Sequence, residues 1–575
     1  MTLINPAVLF SSYQNPYSID LLRKRKILLE EETILDLFQR VISALVGVEK
    51  KFDTSTETIE ALKQQLEVFL DRRQIVLGSP ILTNAGRAGA PTSACTVIPI
   101  DLKKSFQELQ AIIAPYYEKA MGSGFDLSDL EDPIQTLLDL NRISLLCEKT
   151  TSRPPAGMAL LSVEHPKVLD FIRLKETADF SSWRFNLSVG ITNQFMQAVN
   201  NNAFWTFSDQ TQRPAKEIFT AIAQAAHKCG EPGILFIDRI EKDNPTPSLL
   251  YKSVAPCAEV AMTPGEVCQF SYLNLAEMTK NETAQIQFDF DVLKESTELL
   301  TRILDNSVEI SIEHALSLPE VIAAKRRIGI GICGTADLFI KLKMEYGSLE
   351  ANRLLGDILA LINYHSKKTS LALAKQRGAF SFFTSSRYFL DPEWTGRFKN
   401  YAQSHISRDM WEKLALDIQK NGLRNAGTTA LPPTGLSSRI AQTSQSIEPH
   451  FSLLLGGKIK PHLKKQLKAD LKTAGLEDAE IKTILQKIKA GQILSADSKI
   501  PRKIQRIYAV ITEIEAQKQL GMVAEIQNFI DESISKTVNF PNRADIKEIE
   551  ESFLQAYQMG LKGITVFRDG CLGPF

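Results

Sequence analysis

The sequence predicts an α/β fold in which short buried strands alternate with helices. From about residue 78 onward, short apolar runs such as 234–237 (ILFI) and 328–332 (IGIGI) stand among Gly, Pro and Asn residues. Runs of this length and composition are typical of buried strands. Four segments between such runs have the apolar spacing of helices: residues 194–202, 215–228, 291–314 and 348–375. Alternation of the two element types favours a single α/β core.

A helical module is predicted in front of this core. Apolar residues recur at helical spacing from Ile34 to Leu45, and Thr33 before them is a candidate N-cap. The chain is therefore divided into four predicted parts: 1–77, the N-terminal helical module; 78–455, the first part of the core; 456–525, a Lys-rich helical insertion; and 526–575, the completion of the core with a short C-terminal tail.

The insertion contains a Lys-rich stretch from Lys458 to Lys472. Lysines in a cluster attract phosphate, but on a helix they more often form a solvated surface, and a solvated surface is the prediction here. After the insertion, an apolar run typical of a strand occurs at 563–567 (GITVF). This last run predicts the strand that completes the core.

Composition excludes several classes of function. The 575 residues carry 67 basic and 67 acidic side chains, a balance that argues against nucleic acid or an anionic membrane as the main partner. No apolar run approaches the length of a membrane span, and the first residues lack the pattern of a signal peptide. The chain has seven cysteines and no Cys-x-x-Cys motif. This pattern predicts free thiols in a reducing compartment, and it predicts no structural zinc or other metal site. We expect a cytoplasmic protein.

Three of the cysteines lie in a pattern that suits radical chemistry. Cys257 stands two residues before Glu259, Cys268 follows eleven residues after Cys257, and Cys95 lies far upstream. A thiol gives up its hydrogen atom readily, so Cys257 is a candidate thiyl radical, and Glu259 is a candidate proton acceptor. Two further thiols supply two electrons and two protons by closing into a disulfide, provided that their sulfurs come within bonding distance.

Several blocks around these cysteines resemble the catalytic subunit of ribonucleotide reductases, over residues 17 to about 570. The blocks are 79–86 (SPILTNAG), 93–95 (SAC), 231–239 (EPGILFIDR), 243–247 (DNPTP), 255–259 (APCAE), 327–331 (RIGIG), 334–338 (GTADL), 423–426 (LRNA) and 433–437 (PTGLS). Their number and order make the resemblance specific. It implies a ten-stranded α/β barrel.

Within that family, the chain is most similar to the adenosylcobalamin-dependent class. Residues 185–189 (FNLSV), 535–539 (SKTVN) and 560–570 (GLKGITVFRDG) carry this resemblance. It implies that homolysis of the cobalt–carbon bond of adenosylcobalamin starts the radical. The alternative is a catalytic subunit that receives its radical from a metal-containing partner, a type with adjacent tyrosines near its C-terminal end. The Tyr-Tyr pair here, Tyr116-Tyr117, is far upstream, which favours cobalamin.

The resemblance also implies roles for individual residues. Cys257 abstracts the ribose 3′ hydrogen, Glu259 is the general base for the 3′ hydroxyl, and Cys95 with Cys268 is the reducing pair. The expected substrate-binding residues are Ser79, Ser93, Ala255, Pro433, Thr434, Gly435, Leu436 and Ser437. The expected partners are a ribonucleotide, preferably a diphosphate, a thioredoxin-like reductant and a second copy of the chain in a homodimer.

Five departures from the family pattern accompany these expectations. Ala255 stands where the family has Asn, and residues 129–133 run on where the family has a glycine-containing loop of its specificity-effector region. Residues 152–157 replace a later glycine-containing segment of the family. No ATP-cone domain is expected before the helical module, and Cys571 is alone where relatives have a cysteine pair. A non-catalytic nucleotide-binding homologue is therefore a second alternative.

Overall fold

The computed structural model describes residues 9–151, 153–176, 179–282, 285–316, 318–391, 393–399 and 405–571. Residues 1–8 and 572–575 of the predicted end segments, and Ser152 of the segment 152–157, lie outside the described residues. No helix in the described part of the chain is both long enough and apolar enough to span a membrane.

The strands of the described residues are β1 Ile75–Leu77, β2 Cys95–Val97, β3 Gly122–Asp126, β4 Gly157–Ser162, β5 Phe185–Ile191, β6 Phe204–Thr206, β7 Gln212–Pro214, β8 Gly233–Phe236, β9 Ser253–Val254, β10 Ala261–Met262, β11 Val267–Asn274, β12 Thr279–Glu282, β13 Gln285–Phe288, β14 Ile328–Cys333, β15 Leu454–Leu455, β16 Lys458–Ile459, β17 Thr537–Phe540 and β18 Gly563–Arg568.

The helices are α1 Pro16–Lys24, α2 Ile34–Gly47, α3 Thr56–Asp71, α4 Ser79–Asn84, α5 Phe106–Glu118, α6 Pro133–Glu148, α7 Val168–Arg173, α8 Asn193–Asn200, α9 Ala215–Cys229, α10 Ile237–Lys242, α11 Phe290–Glu313, α12 Pro319–Lys325, α13 Thr335–Leu342, α14 Leu349–Arg377, α15 Arg387–Leu390, α16 Gly396–Lys399, α17 Arg408–Asn421, α18 Gly435–Ile440, α19 Pro461–Thr473, α20 Asp478–Lys489, α21 Arg502–Ile507, α22 Ala516–Gln527 and α23 Ile546–Gln558.

Ten strands form one mostly parallel sheet, as predicted. Its order is β1-β11-β2-β3-β4-β5-β8-β18-β17, with β14 on the other side of β11. Strands β2, β3, β4, β5 and β8 are parallel to one another, and this run meets β11 at one end and β18 at the other in antiparallel pairs. Bridges from Ile330 to Thr429 and from Leu431 to Ile534 continue from β14 toward β17. The sheet thereby curves into a barrel.

The helical module is capped and packed as its sequence predicts. Thr33 and Asp36 form a reciprocal capping box at the start of α2, and the apolar face of that helix is buried in the main core. The predicted boundary at residue 77 falls after β1, which already belongs to the barrel sheet.

A buried ionic network also ties this module to the barrel helices. The Glu49 carboxylate binds Arg302 and Arg377 at 2.6 Å each, and Arg377 reaches Asp305 at 2.9 Å. Burial alone would raise the pKa of Glu49, but the hydrogen bonds from Arg302, Asn306 and Arg377 outweigh it and lower the pKa to about 2. Glu49 is therefore charged and paired in the interior.

The Lys-rich insertion has a hydrophobic core of its own. Apolar residues between Leu453 and Val510, on α19, α20 and α21 and their connections, form a cluster separate from the main core. The predicted boundary at 525 falls inside α22, whose buried residues Leu520, Met522 and Val523 pack in the main core instead.

Candidate active site

A hairpin inside the barrel carries the two central residues of the predicted site. Strands β9 and β10 pair in antiparallel fashion, and the turn between them contains Cys257 and Glu259. The hairpin lies against β3 at two glycines. A β-carbon placed on Gly124 would lie 2.1 Å from the Val254 carbonyl oxygen, and one on Gly122 would lie 2.8 Å from Cγ of Pro256. Only glycine permits this close approach.

Hydrogen bonds from three parts of the chain hold the hairpin. The side-chain amide of Asn186 on β5 donates to the Pro256 carbonyl at 2.7 Å. The Ser533 amide donates to the Glu259 carbonyl at 2.9 Å. The Arg327 guanidinium donates to the Ala261 carbonyl. These contacts fix the position of Cys257 relative to the barrel wall.

The two predicted redox cysteines are directly opposite each other on neighbouring strands. Cys95 on β2 pairs with Cys268 on β11 in the antiparallel register. Opposite residues in such a pair have Cα atoms about 4.5 to 5.5 Å apart, within the range that a disulfide spans. Both are free, buried thiols. Burial, followed by the nearby charge of Glu259, raises the pKa of Cys95 to about 12, so the thiol keeps its proton.

Two cavities meet at the hairpin turn, and Cys257 belongs to the wall of both. We call them the Glu259 cavity, of about 330 Å³, and the Lys536 cavity, of about 350 Å³. Pro256 and Pro433 are the other shared wall residues. Cys257 is exposed to these cavities, and its enclosure by protein raises the pKa of the thiol well above its usual value. The sulfur therefore keeps the hydrogen that radical chemistry needs.

Most of the predicted substrate-binding residues line the Glu259 cavity. The wall contains Ser79, Cys95, Pro433, Thr434, Gly435, Leu436 and Ser437. Helix α18 begins at Gly435, and Thr434 before it has a left-handed backbone. The Thr434 hydroxyl accepts a hydrogen bond from the Ser446 amide at 2.9 Å, which fixes this turn against the wall.

Three predicted residues do not line this cavity. Ser93 is fully buried, and its hydroxyl is held by Ser311 at 2.8 Å and by Gln269 at 2.9 Å. Ala255 is buried at the base of the turn, where its amide donates to the Val260 carbonyl. Cys268 lies behind Cys95 rather than in the wall. The Ser93 side chain is therefore not in a position to contact a ligand of the cavity.

Glu259 is a buried carboxylate with a free oxygen. It is 3% exposed, and its Oε2 atom has no hydrogen-bond partner among the described residues. Burial raises the pKa of the carboxyl to about 7, against smaller lowering contributions from backbone amides and Arg153. A buried polar atom without a partner is costly, which indicates that a ligand group completes this contact.

Two arginines that were not predicted as site residues also line the Glu259 cavity. Arg25 comes from the end of α1, and Arg153 precedes β4 and donates to the Ala120 carbonyl at 3.1 Å. Arg153 belongs to the segment 152–157, which the sequence marked only as a departure from the family pattern. The sequence signal that could have indicated Arg153 is an arginine followed by two prolines. The direction of the Arg153 side chain into the cavity depends on the tertiary fold.

The three blocks that indicated the cobalamin class surround the Lys536 cavity. Its wall includes Asn186, Leu187 and Ser188 on β5, the segment from Ser533 to Thr537, and the segment from Lys562 to Phe567. The Lys536 ammonium pairs with Glu448 at 2.7 Å. Lys562 donates to the carbonyls of Asp531 and Glu532.

Residues 128–567 of the chain match the protein family described as "Ribonucleotide reductase, barrel domain". This chain belongs to the ribonucleotide reductase family. The match covers the hairpin, strand β11 with Cys268, the blocks 185–189 and 535–539, and the block 560–570 as far as residue 567. The predicted family and its ten-stranded barrel are confirmed.

Relatives of this ribonucleotide reductase cover most of its length. A vitamin B12-dependent ribonucleoside-diphosphate reductase from Mycobacterium tuberculosis is 28% identical, over 96% of this chain and 79% of that protein. One of the same name from Thermoplasma acidophilum is 28% identical, over 88% of this chain and 65% of that protein. The Actinobacillus ureae class Id ribonucleotide reductase alpha subunit superposes with a TM-score of 0.75 at 18% identity, over 97% of this chain and 98% of that one. At that identity, the likeness shows the fold alone.

Proposed function

We propose that this ribonucleotide reductase converts ribonucleotides to 2′-deoxyribonucleotides through a thiyl radical on Cys257, with adenosylcobalamin as its cofactor. One observation carries the proposal. Cys257 is part of the wall between two cavities, one of which contains a free carboxylate oxygen and a thiol of an opposed cysteine pair. The B12-dependent relatives support the choice of cofactor.

The residues of the Glu259 cavity account for each step at the sugar. The Cys257 thiyl takes the hydrogen atom from C3′, and Glu259 takes the proton of the 3′ hydroxyl. The 2′ hydroxyl then leaves as water. Cys95 and Cys268 supply two electrons and two protons as they form a disulfide, and one of these protons leaves in the water. Glu259 returns its proton to the 3′ oxygen, and Cys257 returns its hydrogen atom to C3′. The balance is ribonucleotide plus two thiols to deoxyribonucleotide, water and one disulfide.

The same cavity offers groups for the phosphates of the substrate. The hydroxyls of Ser79 and Ser437 and the backbone at Gly435 and Leu436 are hydrogen-bonding groups in its wall, and Arg25 is cationic. A β-carbon on Gly435 would meet no atom within 4 Å, so this turn faces open space. We propose a diphosphate substrate, in line with the names of the two relatives.

The Lys536 cavity fits the adenosyl side of the cofactor. Its volume is in the range of small-molecule sites, and its wall combines apolar residues such as Met158 and Val566 with the hydroxyls of Ser188, Ser535 and Thr537. This mixture suits a heterocyclic base joined to a sugar. When bound, adenosylcobalamin supplies, by homolysis of its cobalt–carbon bond, the radical that oxidises Cys257. The hairpin anchors Asn186 and Ser533 hold Cys257 at the shared wall.

Turnover also needs a reductant and a cellular setting. We propose a thioredoxin-like dithiol protein as the reductant and the cytoplasm as the location, because all seven cysteines are free thiols and thiols persist in a reducing compartment.

We also propose a homodimer. Leu138 and Leu146 on α6 are 42% and 41% exposed and form a candidate contact surface, and light scattering would test it.

A turnover assay with an EPR readout tests the proposal. The chain is mixed with ribonucleoside diphosphates, adenosylcobalamin and dithiothreitol, which stands in for the protein reductant. Deoxynucleotide and a coupled cob(II)alamin–thiyl signal are expected from the wild type and from Cys147→Ala, a buried cysteine outside both cavities, but not from Cys257→Ala. Turnover that needs a metal-loaded partner would favour the alternative radical source. Nucleotide binding without turnover at saturating cofactor would favour a non-catalytic homologue.

A further inference from the structure

A third cavity adjoins the Lys536 cavity, and Cys257 is not among its described lining residues. We call it the His462 cavity; its volume is about 190 Å³. Gln445 and Phe451 line both cavities, so the two spaces adjoin. The remaining wall of the His462 cavity comes from Arg439 at the end of α18, from the segment that follows α18 as far as Leu455, from Tyr17 on α1, and from the start of the Lys-rich insertion.

The His462 cavity is cationic. Arg439 and Lys460 line it together with His450 and His462, and no carboxylate does so among its described lining residues. Asp337 lies behind the wall, where it pairs with His450 at 2.9 Å and with His462 at 3.1 Å. The Lys460 ammonium lies 3.0 Å from Nδ1 of His450, and the Arg439 guanidinium donates to the Tyr17 hydroxyl at 3.0 Å. These contacts hold the basic side chains in place in the cavity wall, so the side chains are not freely solvated.

The rim of the same cavity is apolar and partly aromatic. Phe451 is 40% exposed and Leu455 is 36% exposed, and Tyr17 and Leu454 complete this side. Exposed aromatic and aliphatic groups next to fixed cations suit a ligand that has an aromatic heterocycle and a phosphate.

We infer that the His462 cavity binds the nucleotide tail of cobalamin, which consists of a phosphodiester, a ribose and an aromatic base. The inference rests on the proposed function, because it assigns the adenosyl side of the cofactor to the adjoining Lys536 cavity. The phosphodiester carries one negative charge, which Lys460 and Arg439 complement, and His462 is a further hydrogen-bonding group in the wall. The aromatic base matches the exposed face at Phe451.

One lysine of the Lys-rich stretch is thereby distinguished from the others. Lys460 is half-buried in the cavity wall, whereas Lys468 on α19 is exposed and outside it. Burial lowers the pKa of Lys460, against a raising contribution from Asp337. A bound anion would offset this cost of burying the ammonium. The prediction of a solvated surface holds for Lys468 but not for Lys460.

Binding of two corrinoids tests the inference without turnover. Adenosylcobinamide lacks the phosphodiester, ribose and base, but it keeps the corrin and the adenosyl group. In spectrophotometric titrations of the full chain, Lys460→Gln should raise the Kd of adenosylcobalamin about tenfold, in keeping with the loss of one charge-assisted hydrogen bond. The Kd of adenosylcobinamide should not change. Lys468→Gln is the matched control and should alter neither value.

Each other outcome has a distinct meaning. Equal binding of both corrinoids by the wild type, or an equal effect of Lys460→Gln on both, overturns the inference and leaves the proposed function standing. Failure to bind either corrinoid overturns the proposed function. A free nucleotide has the same phosphate and heterocycle, so ATP and dATP are titrated alone; Lys460-dependent binding of these without a corrinoid difference would assign the cavity to an effector instead. His462→Gln, at a 40% exposed side chain, repeats the test if Lys460→Gln does not fold.

Discussion

The side-chain amide of Asn186 donates a hydrogen bond to the carbonyl of Pro256, the residue immediately before Cys257, at 2.7 Å. Asn186 lies on β5 of the barrel wall, and Pro256 lies in the turn of the inner hairpin. The bond therefore connects the frame of the barrel to the residue proposed to carry the radical. It also lies at the wall of the Lys536 cavity, where the cofactor is proposed to bind.

Replacing Asn186 should impair the reaction more than the fold. Asn186→Ala removes one hydrogen bond, worth about 1 kcal/mol of stability, but it frees the turn that positions Cys257. Because small displacements of a reacting group cost much of the rate, we expect kcat to fall by about tenfold or more while the KM for the nucleotide stays within about twofold. Steady-state kinetics measures this, with Asn200→Ala on the exposed end of α8 as the control. Unchanged kcat would show that the bond does not position the turn.

The pH dependence of the reaction should follow Glu259. Burial raises the pKa of its carboxyl from 4.5 to about 7, and a general base acts only in its ionised form. We expect kcat/KM to rise with pH, to reach half its plateau near pH 7, and to stay level above that until other groups titrate. Glu259→Gln should lower kcat/KM by at least about 100-fold and abolish this limb, whereas Glu57→Gln on the exposed side of α3 should keep it. A rise centred near pH 4.5 would contradict the assignment.

One turnover without external reductant should leave a specific disulfide. The pre-reduced chain, given substrate and cofactor, should form about one deoxynucleotide per chain and link Cys95 to Cys268, since these are cross-strand partners. Differential alkylation and mass spectrometry of the unfolded product identifies the pair. Cys147 and Cys333 should remain alkylatable throughout. Loss of a different pair of thiols would show that the reducing equivalents come from elsewhere.

The buried network at Arg377 should dominate the stability of the contact between the helical module and the barrel. Arg377→Ala leaves Glu49 and Asp305 without one of their cations in the interior, a change that costs about 3 to 5 kcal/mol. Chemical denaturation should show this loss as an earlier transition. The exposed pair of Arg408 and Glu412 on α17 is the control, and Arg408→Ala should change the midpoint little.

The elements that are predictable from the sequence are those fixed by local patterns. The predicted helix at 215–228 is α9, Ala215–Cys229, and the predicted run 328–332 is β14, Ile328–Cys333. Thr33 caps α2 because a threonine side chain satisfies a free amide at a helix start wherever the helix lies. Short-range chemistry of this kind does not depend on the tertiary fold.

Side-chain direction at the site depends on contacts that are remote in sequence. Ser93 is a plausible ligand residue by position, but Ser311 and Gln269 hold its hydroxyl in the core. Arg153 enters the Glu259 cavity only because β3, β4 and the hairpin come together there. In the same way, the register that sets Cys95 opposite Cys268 arises from the pairing of β2 with β11. The spacing of residues along the chain does not predict any of these three arrangements.

The shared wall at Cys257 has a consequence for covalent inhibition. The raised pKa of this thiol makes it a slow nucleophile, but an electrophile held in either cavity meets the same sulfur atom, so a single adduct would block both compartments. Occupancy of one cavity shields that sulfur from one side only. An electrophile built on a nucleotide and one built on a corrinoid would therefore compete for one sulfur atom from two different cavities.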